Sequence, residues 1–260
     1  MENEPVPQVC VASYNTRRGT ELTVRSALRR AGMPFRLVVG DGASSDGSIP
    51  MLEGFADRGL LELMRSSTAR KHPEWLDHWY QTCSARYLVF SDSDVYYRRQ
   101  GWLVDLVATS QETGAAIVAG RIQPDWSERP KYADGTERRL PGARPEPCLM
   151  LIDMDQVRGV VNTSFAWHQE PIPDRPGKKL IIDVAGLFMR SVEHAGFRTV
   201  EMPADFQKKY RHWGGLTWKK ASTGNIDVRL RLRQFVKVGL VSLLLLRERA
   251  LDRLPHGGGV

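Results

Sequence analysis

The chain has 260 residues, of which 42% are hydrophobic and 26% are charged, so its composition indicates a globular protein and excludes a disordered one. The net charge of +7 does not indicate a nucleic-acid-binding body, because residues 207–260 carry twelve Lys and Arg against three acidic residues, whereas residues 1–206 have a net charge of −2. The N-terminus lacks the apolar segment of a secretory signal, and Cys10, Cys83 and Cys148 form no CxxC pair, so we expect buried thiols in a cytoplasmic protein.

Short apolar runs alternate with helical patterns over residues 1–130. The runs predict strands, which lie at 9–13, 35–40, 60–64, 87–90 and 115–120. The patterns between them predict helices, which lie at 20–31, 49–58, 74–85 and 102–112. This alternation is typical of an α/β fold with a mostly parallel, doubly wound sheet, whose ligands lie outside the carboxyl ends of the strands.

The second half of the chain is less regular. Residues 121–147 contain five prolines and many charges, which predicts a loop, and a further strand is predicted at 148–152. A helix is predicted to begin at Asp183 and to end at Gly196. We divide the chain into one domain over residues 1–224 and a C-terminal helical extension over residues 225–260.

The C-terminal extension is basic and then apolar. Its apolar stretch has only 12 residues between Phe235 and Leu246, which is too short to span a bilayer. Arginines flank this stretch, so it suits a helix at the surface of an anionic membrane, which would make the protein peripheral at the inner face of the cell membrane. A helix docked on its own core, or on a second copy of the chain in a homodimer, explains the pattern equally well.

The segment YLVFSDSDVYY, residues 87–97, ends a predicted buried strand with two aspartates, Asp92 and Asp94. Alternate residues of an extended segment face the same side, so both carboxylates can offer oxygens to one hard divalent cation. The D-x-D pattern alone is weak, since it recurs at Asp153 and Asp155, and a solvated turn or a helix cap is the alternative.

Four other segments distinguish the first D-x-D from the second. ASYNT (12–16) and VVGDGASSDGS (38–48) precede it, and IIDVAG (181–186) and YRHWGGLTW (210–218) follow it. This order resembles the GT-A fold glycosyltransferases, and among them the nucleotide-sugar-dependent family 2. The resemblance covers roughly residues 9–218 and implies transfer of a hexose-type sugar from a nucleotide sugar, with a UDP-sugar favoured, to an acceptor hydroxyl group.

The resemblance also implies site residues. A Mn²⁺ or Mg²⁺ ion would be held by Asp92, Asp94 and His212. The base of the nucleotide would be recognised by Asp41, although Gly40 stands where the family usually has a second acid. Further contacts with the nucleotide are implied for a set of residues at the strand ends: Ser13, Tyr14, Asn15, His72, Asp92 and Ser93.

An inverting enzyme needs a base that removes the proton of the acceptor hydroxyl. The resemblance implies this role for Asp183, and Glu170 is the rival candidate. Aspartate is also a preferred helix N-cap, so a capping role for Asp183 is the alternative.

Two other functions remain open from the sequence. A sugar-nucleotidyltransferase shares the nucleotide-binding half but is expected to have a glycine-rich, basic loop after the first strand, where ASYNTRRGTEL has one glycine. A non-catalytic nucleotide- or sugar-binding protein of the same fold is the second alternative, and loss of a D-x-D aspartate would have favoured it.

Overall fold

The fold is a mixed β-sheet with helices on both faces. The computed structural model describes residues 6–123, 144–171, 176–177, 179–214 and 228–252. Within these residues the strands are β1 Gln8–Ser13, β2 Arg36–Asp41, β3 Glu62–Arg65, β4 Tyr87–Asp92, β5 Val95–Tyr97, β6 Ile117–Ala119, β7 Ile122–Gln123, β8 Arg144–Pro145, β9 Leu149–Asp153, β10 His168–Pro171, β11 Lys179–Ile182, β12 Thr199–Glu201 and β13 Tyr210–His212. The helices are α1 Arg17–Arg30, α2 Ser48–Ala56, α3 His72–Thr82, α4 Trp102–Thr113, α5 Met154–Val157, α6 Gly186–His194, α7 Ala204–Gln207 and α8 Val228–Leu251.

The main sheet has the strand order β12-β6-β9-β4-β1-β2-β3 in the described part of the chain. All neighbouring pairs are parallel except those of β9, which is antiparallel to both β4 and β6. The predicted mostly parallel α/β fold is confirmed. Since β1, β2 and β4 are parallel neighbours, their carboxyl ends meet at one edge of the sheet and bring the segments after Ser13, Asp41 and Asp92 together.

Side chains of the central strands alternate between two cores. Val9 and Val11 of β1 lie in the core under α1, α2 and α4, whereas Cys10 lies in the core under α3 and α6. Strand β4 divides its side chains in the same way, with Val89 on the first side and Phe90 on the second. The strands are therefore buried on both faces, which explains why their sequences read as continuous apolar runs.

The predicted elements are present, with boundaries shifted by a few residues, and one predicted start is wrong. The sixth helix begins at Gly186, not at Asp183, because Ala185 occupies the N-cap position with a left-handed backbone at φ 66°. The predicted loop over 121–147 contains the short antiparallel pair β7–β8 at its ends, and residues 124–143 lie outside the described part of the chain. The three cysteines are buried free thiols, as predicted.

Strands β5 and β13 form a small antiparallel pair beside the main sheet. Its register pairs His212 with Val95, the residue after Asp94. The backbone NH of Trp213 also donates a hydrogen bond to the carbonyl of Asp94, at 3.0 Å. A strand near the end of the chain is thereby fixed against the D-x-D segment.

Helix α8 packs on α1 through a buried carboxylate. Glu248 is fully buried and accepts hydrogen bonds from Arg30 at 2.7 and 3.1 Å, from Arg29 at 3.2 Å and from the Tyr96 hydroxyl at 3.1 Å. Val241 and Leu245 of the same helix face are buried with Leu22, Tyr96 and Trp213, a set that joins α8 to α1, β5 and the segment after β13. No helix among the described residues is long and apolar enough to cross a membrane.

Removal of the Glu248 charge is expected to weaken the attachment of α8. Glu248→Gln leaves Arg30 buried without its counter-charge, so we expect the free energy of unfolding to fall by about 3 kcal/mol or more in denaturant titrations. The matched control is Asp252→Asn, which lies at the exposed end of the same interface, pairs with Arg25 and Arg29, and should cost about 1 kcal/mol or less.

The loss of unfolding free energy caused by Glu248→Gln should depend on pH. Burial raises the pKa of Glu248, but hydrogen bonds and charge from Arg30 and Tyr96 outweigh it and leave the pKa below its ordinary value of 4.5. Such a carboxylate stabilises the fold above pH 4.5 and loses this contribution as the pH falls through the lower folded-state pKa. The difference in free energy of unfolding between wild type and Glu248→Gln should therefore become smaller as the pH falls below 4.5. A difference that stays constant would contradict an ionised Glu248.

Candidate functional site

The candidate site lies at the carboxyl end of β4, as the D-x-D pattern predicts. Asp92 is the last residue of this strand, and its NH donates a hydrogen bond to the carbonyl of Cys148, the residue before the neighbouring strand β9. Asp94 follows two residues later and immediately precedes β5. Both aspartates are therefore fixed by strands on either side.

Two histidines converge on these carboxylates. His212 of β13 has its Nε2 3.3 Å from Asp92 Oδ2 and 3.1 Å from Asp94 Oδ1. His72, the first residue of α3, has its Nε2 3.2 Å from Asp92 Oδ1. Ligand atoms of Asp92, Asp94 and His212 all lie within 4.8 Å of one another. The structure thus brings together all three predicted metal ligands and places His72 beside them.

The carboxylates of Asp92 and Asp94 make this part of the site strongly negative. Burial by itself raises the pKa of Asp92, but hydrogen bonds from His212 and His72 outweigh it, so the pKa lies well below its usual range. Burial by itself lowers the pKa of His212, but its bonds to Asp92 and Asp94 hold that pKa far above the ordinary value. Positive charge is therefore drawn to the space between the two aspartates.

The donor set fits a hard divalent cation. Two carboxylate oxygens and one imidazole nitrogen are ligands that Mn²⁺ accepts readily, and Mg²⁺ takes carboxylates together with phosphate oxygens of a substrate. The side chains of Asp92 and His212 are 25% and 29% exposed, so the set is accessible from solvent.

A chain of buried hydroxyl groups links the D-x-D to the end of β1. Ser13 Oγ lies 3.0 Å from Thr20 Oγ1, which lies 3.0 Å from Thr16 Oγ1, which in turn lies 3.0 Å from Ser93 Oγ. Ser13 and Ser93, both predicted nucleotide contacts, therefore bind protein groups in this structure. This network fixes the loop after β1 relative to the residue between the two aspartates.

The loops after β1 and β2 are also tied together. Both carboxylate oxygens of Asp41, which is fully buried, accept hydrogen bonds from Ser44, one from its NH and one from its hydroxyl, at 2.7 Å each. Asn15 has a positive φ of 51°, donates its NH to Ser44 Oγ at 2.8 Å and accepts from the NH of Ser45 at 2.9 Å. Asp41 and Asn15 thus fix the loop after β2 against the loop after β1, whereas Tyr14 is 45% exposed.

The glycine before Asp41 has a steric cause. A Cβ built on Gly40 would lie 2.6 Å from Trp75 and 2.8 Å from Trp79, whose rings stack against each other above this position. An acidic side chain cannot fit at residue 40 beneath these rings. The departure from the usual pair of acids therefore follows from how α3 packs on β2.

Several polar and aromatic residues near the motifs have structural roles. Asp46 accepts hydrogen bonds from the NH of Arg17 and from Ser48, and so caps the first residues of both α1 and α2. In the second D-x-D, Asp153 caps α5 by accepting from the NH of Asp155. Trp213 is buried against α8, and Trp218 lies outside the described residues.

The two candidate bases lie on one hairpin. Glu170 is on β10, which pairs antiparallel with β11, and Asp183 directly follows β11. Glu170 Oε1 forms an ion pair with Arg190 at 3.0 Å, whereas Asp183 Oδ1 accepts the NH of Val184 at 2.9 Å. Asp183 stands ahead of the N-cap residue, so the prediction that it caps α6 is wrong.

Sequence reasoning missed Glu146 and Cys148. Ligand atoms of these residues lie within 4.8 Å of each other and of His212. Cys148 was read only as a buried thiol, and burial does raise its pKa to about 12. The antiparallel pairing of β9 with β4, which puts Cys148 beside Asp92, carries no local sequence signal.

The chain matches the model of the family described as glycosyl transferase family 2 over residues 8–166. No curated protein sequence matches the chain.

Three solved structures are similar to this chain at low identity. The mannosyltransferase PcManGT from Pyrobaculum calidifontis, solved with GDP-Man and Mn²⁺, is 14% identical with a TM-score of 0.53, over 100% of this chain and 77% of that chain. TarS 1-349 from S. aureus is 15% identical with a TM-score of 0.51, over 76% of this chain and 58% of that chain. A further structure of S. aureus TarS is 20% identical with a TM-score of 0.40, and the match covers 50% of this chain and only 23% of that chain.

Proposed function

The chain belongs to glycosyl transferase family 2, and from this premise we propose that it transfers a sugar from a nucleoside-diphosphate donor to an acceptor hydroxyl group, with a divalent cation and with inversion at the anomeric carbon. The observation that carries the proposal is the convergence of Asp92, Asp94 and His212 at the carboxyl end of β4. This cluster lies beside the ends of β1 and β2, where the nucleotide of the donor is expected.

The residues of the site have separate tasks in this proposal. Asp92, Asp94 and His212 hold Mn²⁺ or Mg²⁺, which when bound neutralises the charge of the nucleoside diphosphate that leaves the sugar. The loop containing Tyr14 and Asn15 surrounds the nucleotide. Recognition of the base is assigned to the segment that follows β2, in which the fully buried carboxylate of Asp41 holds Ser44 in place.

The identity of the base is part of the proposal. The resemblance of the Asp41 segment to family 2 favours uridine. The PcManGT structure contains GDP-Man, so guanosine is the alternative to be measured beside it. The family match favours a transferase over a nucleotidyltransferase or a non-catalytic binding protein.

A base must take the proton of the acceptor as its oxygen attacks the anomeric carbon. We assign this role to Asp183. The order of the family motifs along the chain supports Asp183, and Glu170, which forms an ion pair with Arg190 at 3.0 Å, is the rival.

The C-terminal extension, residues 225–260, is proposed as a membrane-binding element attached to the catalytic domain, residues 1–224. The outer face of α8 is apolar and exposed, with exposed fractions between 39% and 75%, and consists of Phe235, Val236, Leu240, Leu243 and Leu246. Arg247 is exposed on the same helix, and the acidic Glu248 and Asp252 are paired with arginines of α1. Among the described residues, the exposed and unpaired charge at the C-terminal end of α8 is therefore positive, which suits an anionic lipid surface.

The cation site predicts a loss of nucleotide binding. Asp92→Asn and Asp94→Asn each remove one ligand charge, so manganese-dependent binding of UDP or GDP, measured by calorimetry, should fall by more than the ~10–100-fold that follows loss of a ligand's hydrogen-bond partner. Asp155→Asn, in the second D-x-D, is the matched control and should bind as wild type. Unchanged binding in both site variants would refute the metal assignment.

The proposed base predicts a loss of transfer without a loss of binding. Asp183→Asn keeps an oxygen that accepts the NH of Val184 but cannot take a proton, so transfer should slow by roughly 10²-fold or more while donor affinity and melting temperature stay near wild type. Glu170→Gln is the comparison. If Glu170→Gln is inactive and Asp183→Asn transfers sugar normally, Glu170 is the base.

The outer face of α8 predicts salt-sensitive binding to vesicles of phosphatidylglycerol and phosphatidylcholine. A buried Phe or Leu contributes about 1.5–3 kcal/mol, so the double variant Phe235→Ser/Leu243→Ser should lower co-sedimentation at least about tenfold. Val160→Ser, at an exposed valine far from α8 in the chain, is the control. A wild-type dimer that the double variant turns into a monomer, without vesicle binding, would instead assign this face to a second copy of the chain.

A further inference from the structure

A second set of potential metal ligands adjoins the aspartate pair. Glu146, Cys148 and His212 each offer one ligand atom, and the three atoms lie within 4.8 Å of one another. Cys148 Sγ lies 3.5 Å from Glu146 Oε2. Two ligand atoms on a tetrahedral zinc ion, with bonds of about 2.3 Å to sulfur and about 2.0 Å to oxygen, are also about 3.5 Å apart.

The chemistry of this set differs from that of the aspartate set. It contains one sulfur, one nitrogen and one oxygen, and thiolate sulfur selects zinc and similar cations over magnesium and manganese. The side chain of Glu146 is 16% exposed and that of His212 is 29% exposed, so a cation from solvent has access although Cys148 is buried.

We propose that Glu146, Cys148 and His212 form a second site, which shares His212 with the aspartate set, for a thiophilic divalent cation such as Zn²⁺. Binding of the cation displaces the proton of the Cys148 thiol, which leaves to solvent, and three protein ligands leave a fourth position open. The imidazole of His212 serves both ligand sets. If the proposed function holds, zinc therefore competes for a ligand of the catalytic cation and inhibits the enzyme.

Cobalt provides a direct test, because Co²⁺ bound to a thiolate absorbs in the near ultraviolet through sulfur-to-metal charge transfer. The wild-type protein titrated with CoCl₂ should show this band, and added ZnCl₂ should remove it. Cys148→Ser should lack the band, whereas Cys83→Ser, which removes another buried thiol, should keep it. Asp94→Asn should also keep it, because Asp94 belongs only to the aspartate set.

Glu146→Gln gives a second variant in case Cys148→Ser unfolds; it should keep the band but require at least about tenfold more cobalt, since one of three ligands is lost. No band in the wild type, or a band that persists in a folded Cys148→Ser, would overturn the proposal.

A separate measurement addresses inhibition. Zn²⁺ should weaken manganese-dependent binding of UDP or GDP in the wild type at concentrations at least about tenfold lower than in Cys148→Ser, because only the wild type has the thiolate that selects zinc. Absence of any manganese-dependent binding would count against the proposed function, and the cobalt titration would still decide on the thiolate site.

Discussion

Two carboxylates held close together at the end of β4 are the constraint around which the site is built. Ligand oxygens of Asp92 and Asp94, two positions apart in the chain, lie within 4.8 Å of each other, and like charges this close repel each other unless a cation or a hydrogen-bond donor lies beside them. Imidazole groups from two distant segments meet these carboxylates: His72 from the start of α3 and His212 from β13. Such a cluster of carboxylates and imidazoles is suited to a divalent cation and the phosphates that accompany it.

The C-terminal helix α8 stabilises the segments that carry the cation ligands. Lys237 of α8 donates to the carbonyls of Trp213 and Gly214 at 2.7 and 3.0 Å, directly after His212. Glu248 of the same helix accepts from Tyr96, two residues after Asp94. Helix α8 therefore forms hydrogen bonds on both sides of the small β5–β13 pair. A surface that binds α8 would consequently affect the position of the cation ligands.

The sequence predicted what depends on local pattern and missed what depends on pairing between distant segments. The sequence predicts Asp92 as a site residue because a run of apolar residues ends in two aspartates. Such a run indicates a buried strand that ends at this point. The meeting of His212 with the aspartates came from family resemblance alone, since no periodicity reveals that β13 pairs with β5. The left-handed N-cap at Ala185 and the contact of Cys148 with the site are set by tertiary packing, which overrides local preference.

The contact between Tyr96 and Glu248 joins residues 152 positions apart, so it forms only after residue 248 has been synthesised. Contacts of such long range close late, because the entropy of a large loop must be overcome first. A growing chain on the ribosome thus exposes both aspartates well before His212 and α8 exist to enclose them. The cation site proposed for this protein is accordingly enclosed only after both His212 and Glu248 have been synthesised.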